Sequence, residues 1–149
     1  IDVDSTPVAV GDNLFASSSA GGVFALDSTT GRIKWRLPVA GAGALASDGE
    51  NLYFGAANEG VYAVELGGHV IWRQGTDGGG EAAVPVLSGN YLFYSLAESG
   101  LFVADKRTGA VRQFFDPGFG VSAPPMIDAG ELYVLSNGAT LYALGVKSF

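Results

Sequence analysis

The chain consists of short stretches in which apolar and polar residues alternate. Turn-forming residues separate these stretches. In the first part of the sequence the stretches cover residues 14–18, 23–26 and 32–37. The segments between them are rich in Gly, Asn, Asp and Ser, which accept the backbone angles of tight turns. This pattern predicts antiparallel β-strands joined by hairpins, and no stretch has the spacing of an amphipathic helix.

The pattern is repeated four times along the chain. A Leu–aromatic pair at residues 14–15 returns at 52–53, 92–93 and 132–133, with offsets of 38, 40 and 40 residues. The stretch at residues 22–27 returns with the same offsets. A third column of matches consists of Pro7, Leu45, Pro85 and Pro125. Three independent columns on one set of offsets establish a sequence repeat.

The length of the repeat indicates the architecture. It lies just below the ~40–45 residues of a four-stranded β-propeller blade. Such repeats bury their hydrophobic faces only by stacking on one another. We therefore predict an all-β chain, a β-propeller segment of about four four-stranded blades. The blades form a single domain, with repeats at approximately residues 5–39, 40–77, 78–117 and 118–149.

The fourth repeat is shorter than the others, which affects the last predicted blade. The innermost strands of the third and fourth repeats are predicted at residues 83–87 and 124–127. The fourth repeat stops before an outermost strand can form, so the last blade is expected to lack its outer strand. Residues 1–3 fall where the tail of such a strand would lie, but they are shorter than a normal strand of about five or six residues.

An incomplete last blade bears on how the ring closes. Four blades closing on themselves would each turn by about 90°, whereas eight blades need about 45°. The smaller angle suits blades that pack as wedges, so we expect half of an eight-bladed ring. It would be completed by the remaining half of the propeller or by a second copy of the chain.

One string in the first repeat resembles a known motif. Ala25-x-Asp27-x-x-Thr30-Gly31-x-x-x-Trp35 is similar to the tryptophan-docking motif of PQQ-like β-propeller repeats. In that family, the Trp of one blade's outer strand packs against the next blade. Repeat 2 retains part of the motif, and repeat 3 has Gln113 in place of Trp. The structural docking residues that the resemblance implies are Ala25, Asp27, Gly31, Trp35, Glu65, Gly68, Trp72, Asp105 and Gly109.

Within the PQQ-like repeat family, the chain most resembles outer-membrane assembly lipoproteins of the BamB type. The resemblance implies a non-catalytic scaffold for protein–protein interaction that assists outer-membrane β-barrel assembly. It further implies a place at the periplasmic face of the outer membrane, and the assembly machinery as partner. Two alternatives remain open: a fragment of a PQQ-dependent (quinoprotein) dehydrogenase, or an extracellular ligand-sensing propeller.

The composition of the chain limits the partners and the functional sites that it can have. The chain has 15 acidic and 8 basic residues, a net charge of −7, which argues against nucleic acid as a partner. No apolar run approaches the ~18–20 residues of a membrane span. With no cysteine the chain has no thiolate, and its single histidine, His69, is too few for the common His-based metal and catalytic sites. We assign no catalytic residue, cofactor or metal site.

Aromatic residues are concentrated between the third and fourth repeats, at Phe114, Phe115 and Phe119. One interpretation is a hydrophobic contact site for a protein partner. The other is that Phe114 and Phe115 take over the wedge position in which Gln113 replaces tryptophan.

Overall fold

A computed structural model describes residues 5–146, and all of their regular elements are β-strands. The first eight strands are β1 (Val8–Val10), β2 (Asn13–Ser18), β3 (Gly22–Asp27), β4 (Ile33–Leu37), β5 (Ala46–Ser47), β6 (Asn51–Ala56), β7 (Gly60–Glu65) and β8 (Val70–Gln74). They are followed by β9 (Val86–Ser88), β10 (Tyr91–Ser95), β11 (Leu101–Asp105), β12 (Val111–Phe115), β13 (Met126–Asp128), β14 (Glu131–Leu135) and β15 (Leu141–Gly145).

The strands form four separate sheets, which we call blades 1 to 4. Blades 1, 2 and 3 have the orders β1-β2-β3-β4, β5-β6-β7-β8 and β9-β10-β11-β12. Blade 4, within residues 5–146, has three strands in the order β13-β14-β15. Neighbouring strands are antiparallel and follow each other in the chain. The predicted all-β propeller segment is confirmed, and among the described residues the last blade lacks its outer strand.

The innermost strands begin later than the sequence predicts. In blade 3 the strand covers Val86–Ser88 rather than residues 83–87, and in blade 4 Met126–Asp128 rather than 124–127. Both observed strands begin directly after a proline, Pro85 or Pro125. Because proline has no backbone N–H to donate to a sheet, the ladder starts after it.

The core consists of three layers of side chains between consecutive blades. Central strands contribute to two layers because alternate residues point to opposite faces. In β6, Leu52 and Phe54 pack in the layer between blades 1 and 2, whereas Tyr53 packs between blades 2 and 3. All three side chains are at most 1% exposed. Each inner blade is therefore held from both faces, as expected for stacked repeats.

A bulge recurs at the outer strand pair of each of the first three blades. The register shifts between Ala25 and Leu26 in blade 1, and at the equivalent point in blades 2 and 3. Just before the bulge, Ala25 lies opposite Trp35, and Ala63 lies opposite Trp72. Bulges bend a strand and redirect its side chains. In blades 1 and 2 the bulge thus lies in the strand pair that carries the tryptophan, directly beside its cross-strand partner.

Within residues 5–146, the face of blade 4 that points away from blade 3 is open. Met126 is 58% exposed and Leu141 is 65% exposed. Leu101, which occupies the position of Leu141 in blade 3, is 1% exposed because blade 4 covers it. A closed four-bladed ring would cover Leu141 in the same way. Residues 1–3, which the sequence places near this blade, lie outside the described residues.

Candidate interaction site

The contact between blades 1 and 2 is centred on Trp35. Its Nε1 donates a hydrogen bond to the carbonyl oxygen of Leu66 in the next blade, at 2.9 Å. The ring packs against Gly68, where an added Cβ would lie 2.9 Å from Cδ2 of Trp35. On its own blade, the ring lies beside Phe15, with centroids 5.8 Å apart. The tryptophan thus bridges two sheets through one polar and several apolar contacts.

The contact between blades 2 and 3 has the same geometry around Trp72. The Nε1 of Trp72 donates to the carbonyl oxygen of Lys106 at 2.9 Å. The ring packs on Gly109, where a Cβ would lie 2.6 Å from Cε3 of Trp72. It is tilted against Tyr53 at a centroid distance of 6.4 Å. In both contacts a glycine is required, because any side chain would meet the indole.

Hydrogen bonds within the turns shape the surface that receives the tryptophan. In the turn of blade 3, the Asp105 carboxylate accepts bonds from the backbone N–H groups of Arg107 and Thr108, at 3.0 and 3.1 Å. Partial burial tends to raise the pKa of Asp105, but these bonds outweigh it, so the pKa is lowered. Gly109 N donates to Asp105 O at 2.8 Å, which closes the turn.

The turns of blades 1 and 2 are built in a similar way. Asp27 Oδ1 accepts from the backbone of Thr30 at 2.8 Å and from Thr29 at 3.1 Å. These bonds, the Thr30 backbone bond foremost, lower the pKa of Asp27. In blade 2, whose turn is one residue shorter, Gly68 N donates to the carbonyl of Glu65 at 2.8 Å.

The contact between blades 3 and 4 differs, because Gln113 stands where the other blades have tryptophan. Gln113 lies opposite Val103, the pairing that Trp35 makes with Ala25, and its side chain is exposed. A cavity of about 210 Å³ remains between the two blades, which we call the Gln113 cavity. Beside Gln113, it is lined mainly by Phe93, Leu101, Val103, Leu132, Leu144 and Val146.

The three phenylalanines near this contact have different surroundings. Phe115 meets Tyr142 of blade 4 edge-on, with centroids 5.0 Å apart. Phe114 is 51% exposed and packs on Phe102 of its own blade at 4.6 Å. Phe119 is 71% exposed and lies against Gly138. Phe115 thus adds to the contact between blades, yet the space beside Gln113 is left open.

Filling that space should stabilise the chain. We expect Gln113→Trp to raise the free energy of unfolding by about 1 kcal/mol, the usual gain from filling a cavity. Urea denaturation followed by circular dichroism measures the change. Val103→Ala/Gln113→Trp, which restores the small residue found opposite Trp35 and Trp72, is the companion variant. Loss of stability in both variants would contradict the equivalence of the three positions.

A second connection between blades is polar and lies in a cleft of about 460 Å³, which we call the Asp48 cleft. Lys106 Nζ of blade 3 is 2.9 Å from Asp48 Oδ2 of blade 2. The side chains are only 27% and 14% exposed, respectively. Tyr53 OH donates to the same carboxylate oxygen at 3.2 Å. Burial raises the pKa of Tyr53 to about 12, so its hydroxyl remains a donor at neutral pH.

Asp48 is held in its charged form. Burial alone would raise its pKa, but the bond from Lys106 and the backbone N–H bonds from Asn51 and Glu50 prevail. Together they lower the pKa of Asp48 from 3.8 to about 2. Because the folded state binds this proton less readily than the unfolded chain, the carboxylate stabilises the fold above pH 3.8. That stabilisation is lost as the pH falls from about 4 towards 2.

Asp48→Asn should therefore reduce stability in a pH-dependent way. At pH 7 we expect a loss of about 1–2 kcal/mol, after allowance for the partial exposure of the pair. The difference between wild type and variant should shrink as the pH falls below about 4, because the wild-type carboxyl then becomes neutral too. Urea denaturation between pH 2 and 7 measures it. A difference that does not change with pH would contradict the assignment.

The described residues offer neither a metal-binding cluster nor a membrane-spanning helix. Within residues 5–146, no group of three or more His, Asp or Glu side chains is arranged to hold a metal ion. In the same range, no helix is long and apolar enough to cross a membrane.

Comparison with known proteins identifies the family of the chain. The family model described as "Outer membrane protein assembly factor BamB" matches residues 1–67 and 57–148, nearly the whole chain. The chain belongs to this family. The resemblance to PQQ-like repeats of the BamB type, which the docking motif indicates, is thereby confirmed.

Individual relatives carry the same name. The outer membrane protein assembly factor BamB of Escherichia coli strain K12 is 29% identical over 153 residues. The match covers 96% of this chain and 37% of that protein. The chain thus spans little more than a third of the length of this curated relative.

Solved structures show the same fold. BamB from Moraxella catarrhalis superposes with a TM-score of 0.83 at 18% identity, over 97% of this chain and 47% of that one. A quinohemoprotein alcohol dehydrogenase from Pseudomonas putida HK5 gives a TM-score of 0.70 at 16% identity, over 90% and 29% of the two chains. At these identities the similarity shows the fold alone.

Proposed function

We propose that the chain is part of a non-catalytic scaffold that assists the assembly of outer-membrane β-barrel proteins. The observation that carries the proposal is the match of an assembly-factor family model over almost the entire chain. The described residues agree with this role. Their most elaborate side-chain arrangements, around Trp35, Trp72 and Asp48, join one blade to the next.

The proposed role implies a location and a partner. We place the protein at the periplasmic face of the outer membrane, with the outer-membrane assembly machinery as its partner. The net charge of −7 also agrees with a protein partner rather than a nucleic acid.

Binding of the full-length protein to a purified outer-membrane assembly complex tests the proposal. We expect the two to co-elute in size-exclusion chromatography, and pyrroloquinoline quinone with calcium to show no saturable binding in calorimetry. Failure to co-elute would contradict the scaffold role. Stoichiometric binding of the quinone would favour the alternative, a fragment of a quinone-dependent dehydrogenase.

We further propose that the chain is half of an eight-bladed ring and that the remaining half covers the open face of blade 4. Leu141 and Met126 on this face are 65% and 58% exposed, although a buried leucine, Leu101, occupies the position of Leu141 in blade 3. The match to about half of the Moraxella catarrhalis BamB chain agrees with this arrangement.

A charged residue on the open face of blade 4 tests whether the remaining half of the ring covers that face. Leu141→Glu should leave the stability of this chain nearly unchanged, but should destabilise the full-length protein by several kcal/mol because a charge would be buried without a partner. Ile33→Glu, at an outer-strand position that is 61% exposed, is the matched control and should be tolerated in both. Equal tolerance of Leu141→Glu in the full-length protein would contradict ring completion on this face. Light scattering on the isolated chain shows whether a second copy takes its place.

A further inference from the structure

The Gln113 cavity occupies the third member of a series of equivalent sites, of which two are filled. Trp35 fills the first and Trp72 the second, each with an Nε1 bond to a carbonyl of the next blade. The chain has only these two tryptophans. An indole that filled the third site would therefore have to come from outside these 149 residues.

The walls of the cavity match the surroundings of the two bound indoles. Trp72 packs beside Tyr53, and Phe93, which lies 40 residues further along, lines the cavity. Lys106 provides the carbonyl for Trp72, and Val146, again 40 residues further along, lines the cavity. The site thus retains the aromatic wall, and Val146 stands at the sequence position whose carbonyl accepts the bond from Trp72. The counterpart of Gly109, Phe149, lies outside the described residues.

The size and polarity of the cavity suit an aromatic ring. Its volume is about 210 Å³, and its lining is largely apolar, with Phe93, Leu101 and Leu132 at most 3% exposed. Apolar cavities of about 150 Å³ stay dry and accept a benzene ring. The additional space leaves room for the second ring of an indole. The side chain of Gln113 itself is exposed and does not fill it.

The rim of the cavity indicates that the ring is carried by a polypeptide. Phe114 borders the cavity and is 51% exposed, and Phe115 on the same strand also lines it. This apolar rim extends the contact surface beyond what one ring would cover. A buried aromatic anchor surrounded by weaker contacts is the usual arrangement at protein interfaces.

We propose that the Gln113 cavity is a docking site for a tryptophan side chain of a protein partner, which enters between blades 3 and 4 as Trp35 and Trp72 do between the others. The inference rests on the proposed scaffold function only for the identity of the partner. The site itself is a property of this chain and is tested on it alone.

The first test uses N-acetyl-L-tryptophanamide as the probe and the ¹⁵N-labelled 149-residue chain. We expect saturable shifts of the amide signals of Val103, Leu132 and Leu144. The dissociation constant should be on the order of 1 mM, because the binding free energy of a single side chain only slightly exceeds the entropy cost of association. Gln113→Trp should weaken binding by at least about tenfold, because the cavity is then filled. Val103→Ala/Gln113→Trp is the second filled variant.

Val111→Trp is the matched control, since it adds an indole to the same strand outside the cavity, and it should bind the probe like wild type. N-acetyl-L-alaninamide should give no saturable shifts. Absence of saturable binding by the tryptophan amide, or binding unchanged in both filled variants, would overturn the site.

The second test concerns the partner. In the full-length protein, Gln113→Trp should weaken binding to the purified outer-membrane assembly complex by about tenfold or more, as expected when an interface anchor is displaced, while Val111→Trp should not. If the wild type binds the complex and Gln113→Trp binds equally well, the proposed partner docking is wrong. If the wild type does not bind at all, the scaffold function fails, and the amide titration still reports on the cavity.

Discussion

Trp72→Ala is expected to lower the free energy of unfolding by about 3 kcal/mol, near the lower end for a large aromatic residue because the side chain is only half-buried. The loss has two sources. The apolar contacts of the ring with Tyr53 and Gly109 disappear, and the carbonyl of Lys106 loses its hydrogen bond from Nε1. Urea denaturation followed by circular dichroism measures the change.

Trp72→Phe separates the two sources, because it retains an aromatic ring but removes the donor. We expect it to cost clearly less than Trp72→Ala, with about 1 kcal/mol attributable to the hydrogen bond. Ile33→Ala, at an exposed position of an outer strand, should change stability by no more than about 0.5 kcal/mol. A Trp72→Ala effect as small as that of Ile33→Ala would contradict the docking role.

Gly109→Ala is expected to destabilise the chain by about 2–5 kcal/mol, the sum of backbone strain and crowding against the indole. The φ angle of Gly109 is 74°, a region that alanine adopts only at a cost. Its new Cβ would also lie 2.6 Å from Cε3 of Trp72, so the ring would have to move.

The same turn in blade 1 provides a matched control for this substitution. Gly31 has a φ of 71° and donates to Asp27 O at 2.8 Å, as Gly109 does to Asp105 O. A Cβ at Gly31 would meet nothing within 4 Å. Gly31→Ala should therefore cost only the backbone strain, about 1–2 kcal/mol. Equal losses at Gly31 and Gly109, in thermal or urea denaturation, would show that the fit of the indole contributes little.

Several features of the site leave a trace in the sequence. The docking motif names Trp35 and Trp72, and the resemblance points to Gly68 and Gly109 as positions without a side chain. The structure brings these residues together in pairs, each tryptophan against the glycine of the next blade. The replacement of tryptophan by Gln113 is equally visible in the repeat.

Other features leave no such trace. Asp48 and Lys106 are 58 residues apart, and neither belongs to a motif, so their ion pair appears only when blades 2 and 3 are packed. The sequence also leaves open whether Phe114 and Phe115 take over the position of the missing tryptophan or form a contact site for a partner. Phe115 packs on Tyr142 while the cavity remains, because its position on the strand lies two residues beyond Gln113.

The sequence alone determined the class of fold, the number of blades, the strand order within each blade and the family. These properties follow from patterns that recur at fixed short spacings, which local chain geometry converts into hairpins. The tertiary structure decided which contacts join the blades, where the polar cleft forms and which wedge position stays empty. Those depend on the shapes and distances of side chains from separate repeats, which meet only when the blades pack face to face.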